Sequence, residues 1–260
     1  MKVTTEGAIR VLTLDRPEVL NAMNGAQWSA LLHELRAAED DHSIRALLIL
    51  AEGRAFCAGN DIKETSRFQT KGEARGYFLD LMVPTLAAMA SSRLVIVAGA
   101  HGMALGAGLE LLQFCDIVIA GESCRFQLPE TRIGLWATVF LGSAAFTTPR
   151  RVTQRLALTA EPITAADALD AQLVTQVVPD DQVAAEARRV AKVVASRGPQ
   201  ATAISKAFAN RTLLDESLPL VRQALSELID HSLWGEEGKE GVAAFIEKRD
   251  PDFTATGVEP

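Results

Sequence analysis

A chain of 260 residues has room for one large domain, or for one domain with an appendage. It is 48% hydrophobic and 23% charged, an ordinary globular balance. Its net charge of −7 works against a general nucleic-acid binder, which needs a basic surface to meet phosphates, but is compatible with a local basic pocket for a phosphorylated small molecule. Cys57, Cys115 and Cys124 lie in or beside apolar runs without paired ligand spacing. They are expected to be buried, reduced thiols in a cytoplasmic protein, neither zinc ligands nor disulfides. The opening MKVTTEGAIRV shows no apolar signal region, and no stretch approaches a membrane span.

In chain order, Ala8 to Leu14 nearly alternates and ends at Arg16-Pro17, which predicts a strand leaving into a loop. Gly25 to Glu39 is a helix with Trp28, Leu31, Leu32, Leu35 and Ala38 on one stripe. Ala46 to Leu50 is a continuous apolar strand of the kind buried on both faces. The turn-rich GRAFCAGNDIKE follows at 53–64. Lys71 to Ser91 is helical, with a kink or break expected at Pro84. Leu94 to Ala98, Ile117 to Ala120 and Arg125 to Leu128 are strands, and a helix spans about Leu105 to Phe114. Strands alternating with helices over short connections predict an α/β architecture.

Beyond Thr138 the pattern becomes mostly helical. Val152 to Ala160 and Thr164 to Ala171 are short helices, and Val174 to Val178 is a late strand. Val183, Ala187, Val190 and Val194 form a helical stripe before Gly198-Pro199, the expected boundary between residues 1–197 and 198–260. Leu218, Val221, Leu225 and Leu228 make another stripe, and Glu240 to Lys248 a last short helix. Such helices need a surface to cover, in the first region or on a neighbouring subunit.

The chemistry concentrates between Ala98 and Glu130. Gly102 to Cys115 is glycine-rich and carries one charge, Glu110, flanked by Leu109, Leu111, Leu112 and Phe114 with no polar face for it to occupy. A carboxylate buried there costs several kcal/mol if ionised and unpaired, so it needs a partner or a purpose. Gly106-Ala107-Gly108 stands just ahead of it, where a helix start leaves backbone N–H groups open. Glu130 has two readings, a second site carboxylate or a surface ion pair with Arg125 or Arg132. His101 is expected to bond backbone, Asp61 and Asp116 to serve turns and caps, and Trp136 to be core or pocket wall. A dinucleotide fingerprint fails here. Leu111 stands where the third glycine belongs, and the acidic residue about twenty positions on is missing.

GRAFCAGNDIKE at 53–64, GMALGAGLELLQFCDIVIAGE at 102–122 and FQLPETRIGL at 126–135 resemble the crotonase (enoyl-CoA hydratase/isomerase) superfamily. LDRPEVLNAMN at 14–24 and EGVAAFIEKRDPDF at 240–253 match its first strand–loop and C-terminal helix. The resemblance implies an α/β spiral of repeated ββα units with a helical C-terminal region, assembled as a homotrimer or a dimer of trimers. It implies an acyl-CoA thioester substrate and no cofactor beyond the CoA that the substrate carries.

By motif position, the family's two oxyanion-hole amides fall on Asn60 and Ala107, and its two hydratase glutamates on Glu110 and Glu130. Removing one such amide typically raises the barrier by about 3–4 kcal/mol. Glu110 would deprotonate the water that attacks the β-carbon, and Glu130 would exchange the proton at the α-carbon, the two titrating as a coupled pair. The resemblance places CoA near Ala22, Ala58, Asp61 and Ile62, with Lys63 by its phosphates, and Phe245 and Lys248 reaching the CoA of an adjacent subunit. Leu135 to Phe140 replaces the Pro-Gly turn of many hydratases, so bulky Trp136 or Phe140 is expected to reshape the acyl pocket and the seat of the water. The implied reaction is reversible syn hydration of a trans-2-enoyl-CoA to a 3-hydroxyacyl-CoA. The alternatives are double-bond isomerisation through one glutamate, and acyl-CoA binding without catalysis.

Overall fold

The apolar runs become the strands of a six-stranded sheet. In the computed structural model, which describes residues 1–255, β1 (Lys2–Glu6) and β2 (Ile9–Leu14) form an antiparallel hairpin. The chain continues through α1 (Gly25–Asp40), β3 (Ala46–Ala51), α2 (Ile62–Thr65), α3 (Lys71–Tyr77) and α4 (Val83–Ser91). Next come β4 (Val95–Ala100), β5 (Met103–Leu105), α5 (Ala107–Gln113), β6 (Ile117–Gly121), β7 (Arg125–Gln127), α6 (Thr138–Ala144) and α7 (Arg150–Thr159). The remainder is β8 (Ile163–Thr164), α8 (Ala165–Asp170), β9 (Gln176–Val178), α9 (Val183–Ala195), α10 (Pro199–Ala209), α11 (Leu218–Glu227) and α12 (Glu236–Glu247). Residues 256–260 of the expected C-terminal region lie outside the described residues.

The long sheet runs β1-β2-β3-β4-β6-β9 and is parallel from β2 onward, while β5, β7 and β8 form a second, short sheet. At its most regular, a turn of the spiral adds a strand to the long sheet, a strand to the short one, and a helix. The unit β4–β5–α5 shows this directly. After β3, residues 57–60 take the place of a short-sheet strand, because Cys57 bridges Ala104 in parallel. This is the α/β spiral of ββα units with a helical C-terminal region that the resemblance implied.

The long sheet is buried on both faces, as the unbroken run of β3 predicts. Leu48 and Leu50 face Val183, Ala187 and Ala191 of α9, while Leu47 and Ile49 join Trp28, Leu31 and Leu35 of α1 in the larger core. The same larger core takes in Leu218, Val221, Leu225 and Leu228, so it is continuous past residue 198. Cys57 and Cys124 are buried free thiols as expected, whereas Cys115 is only half-buried.

Pro84 produces no break. Residues 71–91 stay helical, because a π-helical turn at Phe78–Met82 leads into Pro84 near the start of α4. The wider turn accommodates the ring and the missing N–H. Pro219 follows a second π turn at Leu213–Ser217 in the same way.

Asp116 does more than serve a turn. Its Oδ2 accepts from the Ile96 N–H at 2.7 Å and lies 2.7 Å from Lys206 Nζ, which also donates to the carbonyls of Met89 and Leu94. A lysine that is 5% exposed therefore pins α10 to the core. Replacing Lys206 by Met leaves Asp116 charged and short of its partner, and is expected to cost about 3 kcal/mol of unfolding free energy. Urea denaturation checks it, with Lys192→Met on the exposed last turn of α9 as a neutral control.

Candidate active site

Two close approaches of backbone build the site. Cys57 donates to Met103 O at 3.2 Å and accepts from the Leu105 N–H at 2.9 Å, which lays residues 57–60 along β5. Gly59 has φ +98°, and a Cβ on it would stand 2.9 Å from Leu105 O and 3.4 Å from Ala107 N. Gly108 packs its Cα against Cys57 O so tightly that no side chain fits. Only glycine allows both contacts. They bring Asn60 beside Ala107, the first residue of α5. Among the described residues neither N–H has a backbone acceptor, and both residues line one cavity of about 410 Å³.

The expected helix start at Leu105 falls two residues late, at Ala107, because Gly106 is the N-cap in a conformation reserved for glycine (φ +48°, ψ −122°). Its N–H donates to Gln127 O of β7 at 2.9 Å, and a Cβ there would come within 2.7 Å of Glu130 Oε1. Gly106 thus lets Glu130 approach the start of α5.

Glu110 is 5% exposed, so the burial inferred from its apolar flanks holds. Its Oε1 accepts from the Phe140 N–H at 2.9 Å. That amide belongs to the first turn of α6, whose N-cap residue Ala137 offers no side-chain acceptor, so Glu110 does the capping. Glu130 opens a short 3-10 turn, Glu130–Ile133, and its Oε2 is buried with no hydrogen-bond partner among the described residues. The ion-pair reading of Glu130 fails, since Arg125 donates instead to the carbonyls of Ser123 and Cys124.

Burial raises the pKa of both carboxyls above the ordinary range. The α6 amides pull Glu110 back toward ionisation, whereas the charge of Glu110 pushes Glu130 further toward its protonated form. One carboxylate and one carboxylic acid sharing a cavity can take a proton at one place and give one at another.

Ala58, Ile62 and Trp136 also lie on the cavity wall. Ala22, Asp61, Lys63, Phe245 and Lys248 do not. Ala22 gives its carbonyl to Arg16, and Asp61 caps α2 as expected while pairing with Arg16 at 3.0 Å. Lys63 is exposed on α2, and Phe245 and Lys248 are exposed at the end of α12. The cation that reaches the wall is Lys239 of α12. His101 bonds the Gly53 carbonyl at 2.9 Å, the backbone role expected of it.

Sequence reasoning missed the wall built by Phe78, Met82, Leu225, Leu228 and Trp234. The stripe on α11 was legible as packing, and nothing in its spacing separates a core face from a cavity wall. Among the described residues no cluster of three His, Cys, Asp or Glu side chains could hold a metal, and no helix is long and apolar enough to cross a membrane.

The α/β spiral thus gathers two free backbone amides and two buried carboxyls around one cavity, the frame of an enzyme, and comparison with known proteins gives its family. The sequence profile described as enoyl-CoA hydratase/isomerase matches residues 4–256. A rat protein (Rattus norvegicus), enoyl-CoA hydratase domain-containing protein 3, mitochondrial, is 32% identical over 95% of this chain and 81% of its own. The 2,3-dehydroadipyl-CoA hydratase of Escherichia coli is 32% identical over 96% of this chain and 97% of its own. The crystal structure of an enoyl-CoA hydratase/isomerase from Pseudoalteromonas atlantica superposes with a TM-score of 0.85 at 31% identity, covering 97% of this chain and 98% of that one. The chain belongs to the enoyl-CoA hydratase/isomerase family, and its enzymatic class is that of a hydratase or a related isomerase.

The raised pKa of Glu130 makes a prediction about stability. Below the ordinary carboxyl pKa the group is protonated in folded and unfolded chains alike and favours neither. As pH rises, the unfolded chain releases this proton first, so folding loses stability until the folded-state pKa is passed. Glu130→Gln is therefore expected to raise the thermal midpoint at pH 8 by a few degrees, with the gain gone near pH 4. Differential scanning calorimetry at the two pH values checks it, and an equal shift at both would refute the assignment.

Proposed function

We propose that the protein hydrates trans-2-enoyl-CoA thioesters reversibly to 3-hydroxyacyl-CoA. The observation that carries this reading is the pairing of an amide-anchored Glu110 with Glu130, whose buried Oε2 has no hydrogen-bond partner among the described residues, in the cavity that Asn60 and Ala107 also line. The Asn60 and Ala107 N–H groups receive the thioester oxygen and hold the negative charge that gathers there as the enolate forms. Glu110, ionised, orients a water and takes its proton as the water oxygen bonds to the β-carbon. The π electrons move toward the thioester, and Glu130, protonated, delivers a proton to the α-carbon. One water is consumed, and the proton left on Glu110 restores Glu130 through exchange.

The CoA moiety enters between α2 and α12. Exposed Ser66, Lys239 and Ile246 mark the open end of the cavity, and Lys239 supplies a cation for the phosphates. Asp61 and Lys63 flank the wall residue Ile62, Ala22 precedes Met23, whose carbonyl accepts from the Asp61 N–H, and exposed Phe245 and Lys248 would meet the CoA of a neighbouring subunit. Self-association as a trimer, or as a pair of trimers, has support in exposed Phe146, Leu158, Ile204 and Phe208. Residues 1–197 then form the catalytic spiral and 198–260 the covering and assembling region.

A second reading, double-bond isomerisation, draws on the same Glu130. A buried acid with one oxygen free of hydrogen bonds, on a wall that includes Trp136, suits proton shuttling between carbons with no water consumed. Turnover of a four-carbon trans-2-enoyl-CoA in ¹⁸O-labelled water separates the two. Hydration places label in the product hydroxyl and lowers the conjugated-thioester absorbance to its equilibrium value. A shifted double bond without label would establish isomerisation instead. Glu110→Gln and Glu130→Gln are each expected to lower kcat by about 10²- to 10⁴-fold while acyl-CoA binding persists. Full activity in either variant removes that carboxyl from the mechanism.

The closed end of the cavity selects the acyl group. The side chains of Phe78, Met82, Val139, Leu225 and Leu228 are buried there and carry neither a charge nor a hydrogen-bond donor. An apolar acyl tail gains by entering, whereas a terminal carboxylate would lose its water without a partner. Against a six-carbon straight-chain enoyl-CoA, 2,3-dehydroadipyl-CoA is expected to show a kcat/KM at least about 10²-fold lower. Equal turnover of the two would place a cation at that end.

A further inference from the structure

Asn60 carries a side chain that its proposed role does not require, since the thioester oxygen would meet only its backbone N–H. That side chain is nonetheless tied down. Its Oδ1 accepts from Trp28 Nε1 at 3.1 Å and lies 3.1 Å from Tyr77 Oη. Tyr77 Oη also lies 2.8 Å from the Met23 carbonyl. Met23 holds the backbone on either side of Asn60, donating to Gly59 O at 2.8 Å and accepting from the Asp61 N–H at 2.8 Å. The single phenolic hydrogen is therefore shared between two acceptors of one small network.

Its members are held by packing. Trp28 is fully buried on α1, and Tyr77 is 6% exposed on α3. Burial raises the phenol well above its ordinary pKa, so Tyr77 stays a donor. With Oδ1 turned inward, Nδ2 is directed at Met82 Sδ, 3.8 Å away on the cavity wall. The residue before Asn60 is Gly59 at φ +98°, the most permissive link the chain could have at that point. An amide that follows such a link needs restraint from elsewhere if it is to keep one direction.

We infer that the Asn60 side chain, Trp28 and Tyr77 form a clamp that aims the Asn60 N–H at the thioester oxygen. The inference rests on the reading above that this N–H is one of the two donors to that oxygen. The three side chains are positioning groups, because only the backbone amide touches substrate. Displacing a reacting group by about 1 Å can cost 10²-fold in rate, so a loosened clamp should appear in kcat rather than in KM.

The experiment uses Asn60→Ala and the nearly isosteric Tyr77→Phe, singly and combined, in the full-length enzyme. Steady-state kinetics is paired with difference infrared spectra of bound butanoyl-CoA carrying ¹³C at the thioester carbonyl, a saturated ligand that cannot be hydrated. Donation from the amides lowers the carbonyl stretching frequency. In each variant kcat is expected to fall roughly ten- to a hundred-fold with KM little changed, and the carbonyl band to move back toward its position in water. The double variant should be little worse than the more damaged single one, because both act through one contact. A band and kcat like those of the unmodified protein in Asn60→Ala would overturn the clamp, as would a lower kcat with an unmoved band. If the band of the unmodified protein already sits at its position in water, the donor reading itself fails. Tyr77→Phe preserves the ring packing, so it carries the test should Asn60→Ala fold poorly.

Discussion

The contact between Gly108 and the carbonyl of Cys57 is the constraint on which the site depends. It brings the loop after β3 against the first turn of α5 at a distance no side chain would permit, and Gly59 closes the same gap from the other side. The two amides that result belong to different turns of the spiral, so their spacing is set by the sheets behind them. Backbone held in this way needs no side-chain reorganisation when charge develops nearby, and such preorganisation gives fixed dipoles their effect. Ala107 can carry a side chain because the contact with the loop is made by its neighbour Gly108.

The carboxyls depend on the same frame for their difference. Glu110 and Glu130 are both removed from water, and burial alone would leave two neutral acids. Their separation comes from what each touches. Glu110 is aimed at the uncapped start of α6, where the Phe140 amide favours the charged form, while Glu130 has an oxygen that touches no donor. The departure at Leu135 to Phe140 therefore supplies two things at once, Trp136 on the wall and the α6 amide that holds Glu110.

Much of this was legible in the residues. The strands announced themselves by alternation or by unbroken apolar runs, and Glu110 by having no polar face to occupy. Glu130 was ambiguous because neighbouring arginines in sequence say nothing about Gly106, whose missing side chain gives the carboxyl its place. Pro84 suggested a break, since local rules weigh the lost N–H and not the π turn that absorbs it. The acyl end of the cavity was illegible for a plainer reason. Leu225 and Leu228 bear the same spacing as Leu218 and Val221, all four join the core, and only the placing of α11 and the turn after it brings the first two to the cavity wall as well.

The C-terminal helix shows how the mouth of the cavity and its chemistry are joined. Gly241 of α12 packs against the backbone of Ile133, and Gly134 against the backbone of Glu237, each too closely for a Cβ. Ile133 ends the short turn that Glu130 begins, and Gly134 ends that turn in the left-handed conformation with φ +65°. The segment carrying Glu130 is thus clasped by the helix that carries Lys239 on the cavity wall. Because the contacts are backbone to backbone, α12 cannot shift along that turn without moving Glu130 with it. Anything that displaces α12, whether a bulky residue at 241 or a ligand forced against Val242, therefore acts on the acid as well as on the entrance. Glycines at 134 and 241 make α12 and the turn that carries Glu130 a single mechanical unit.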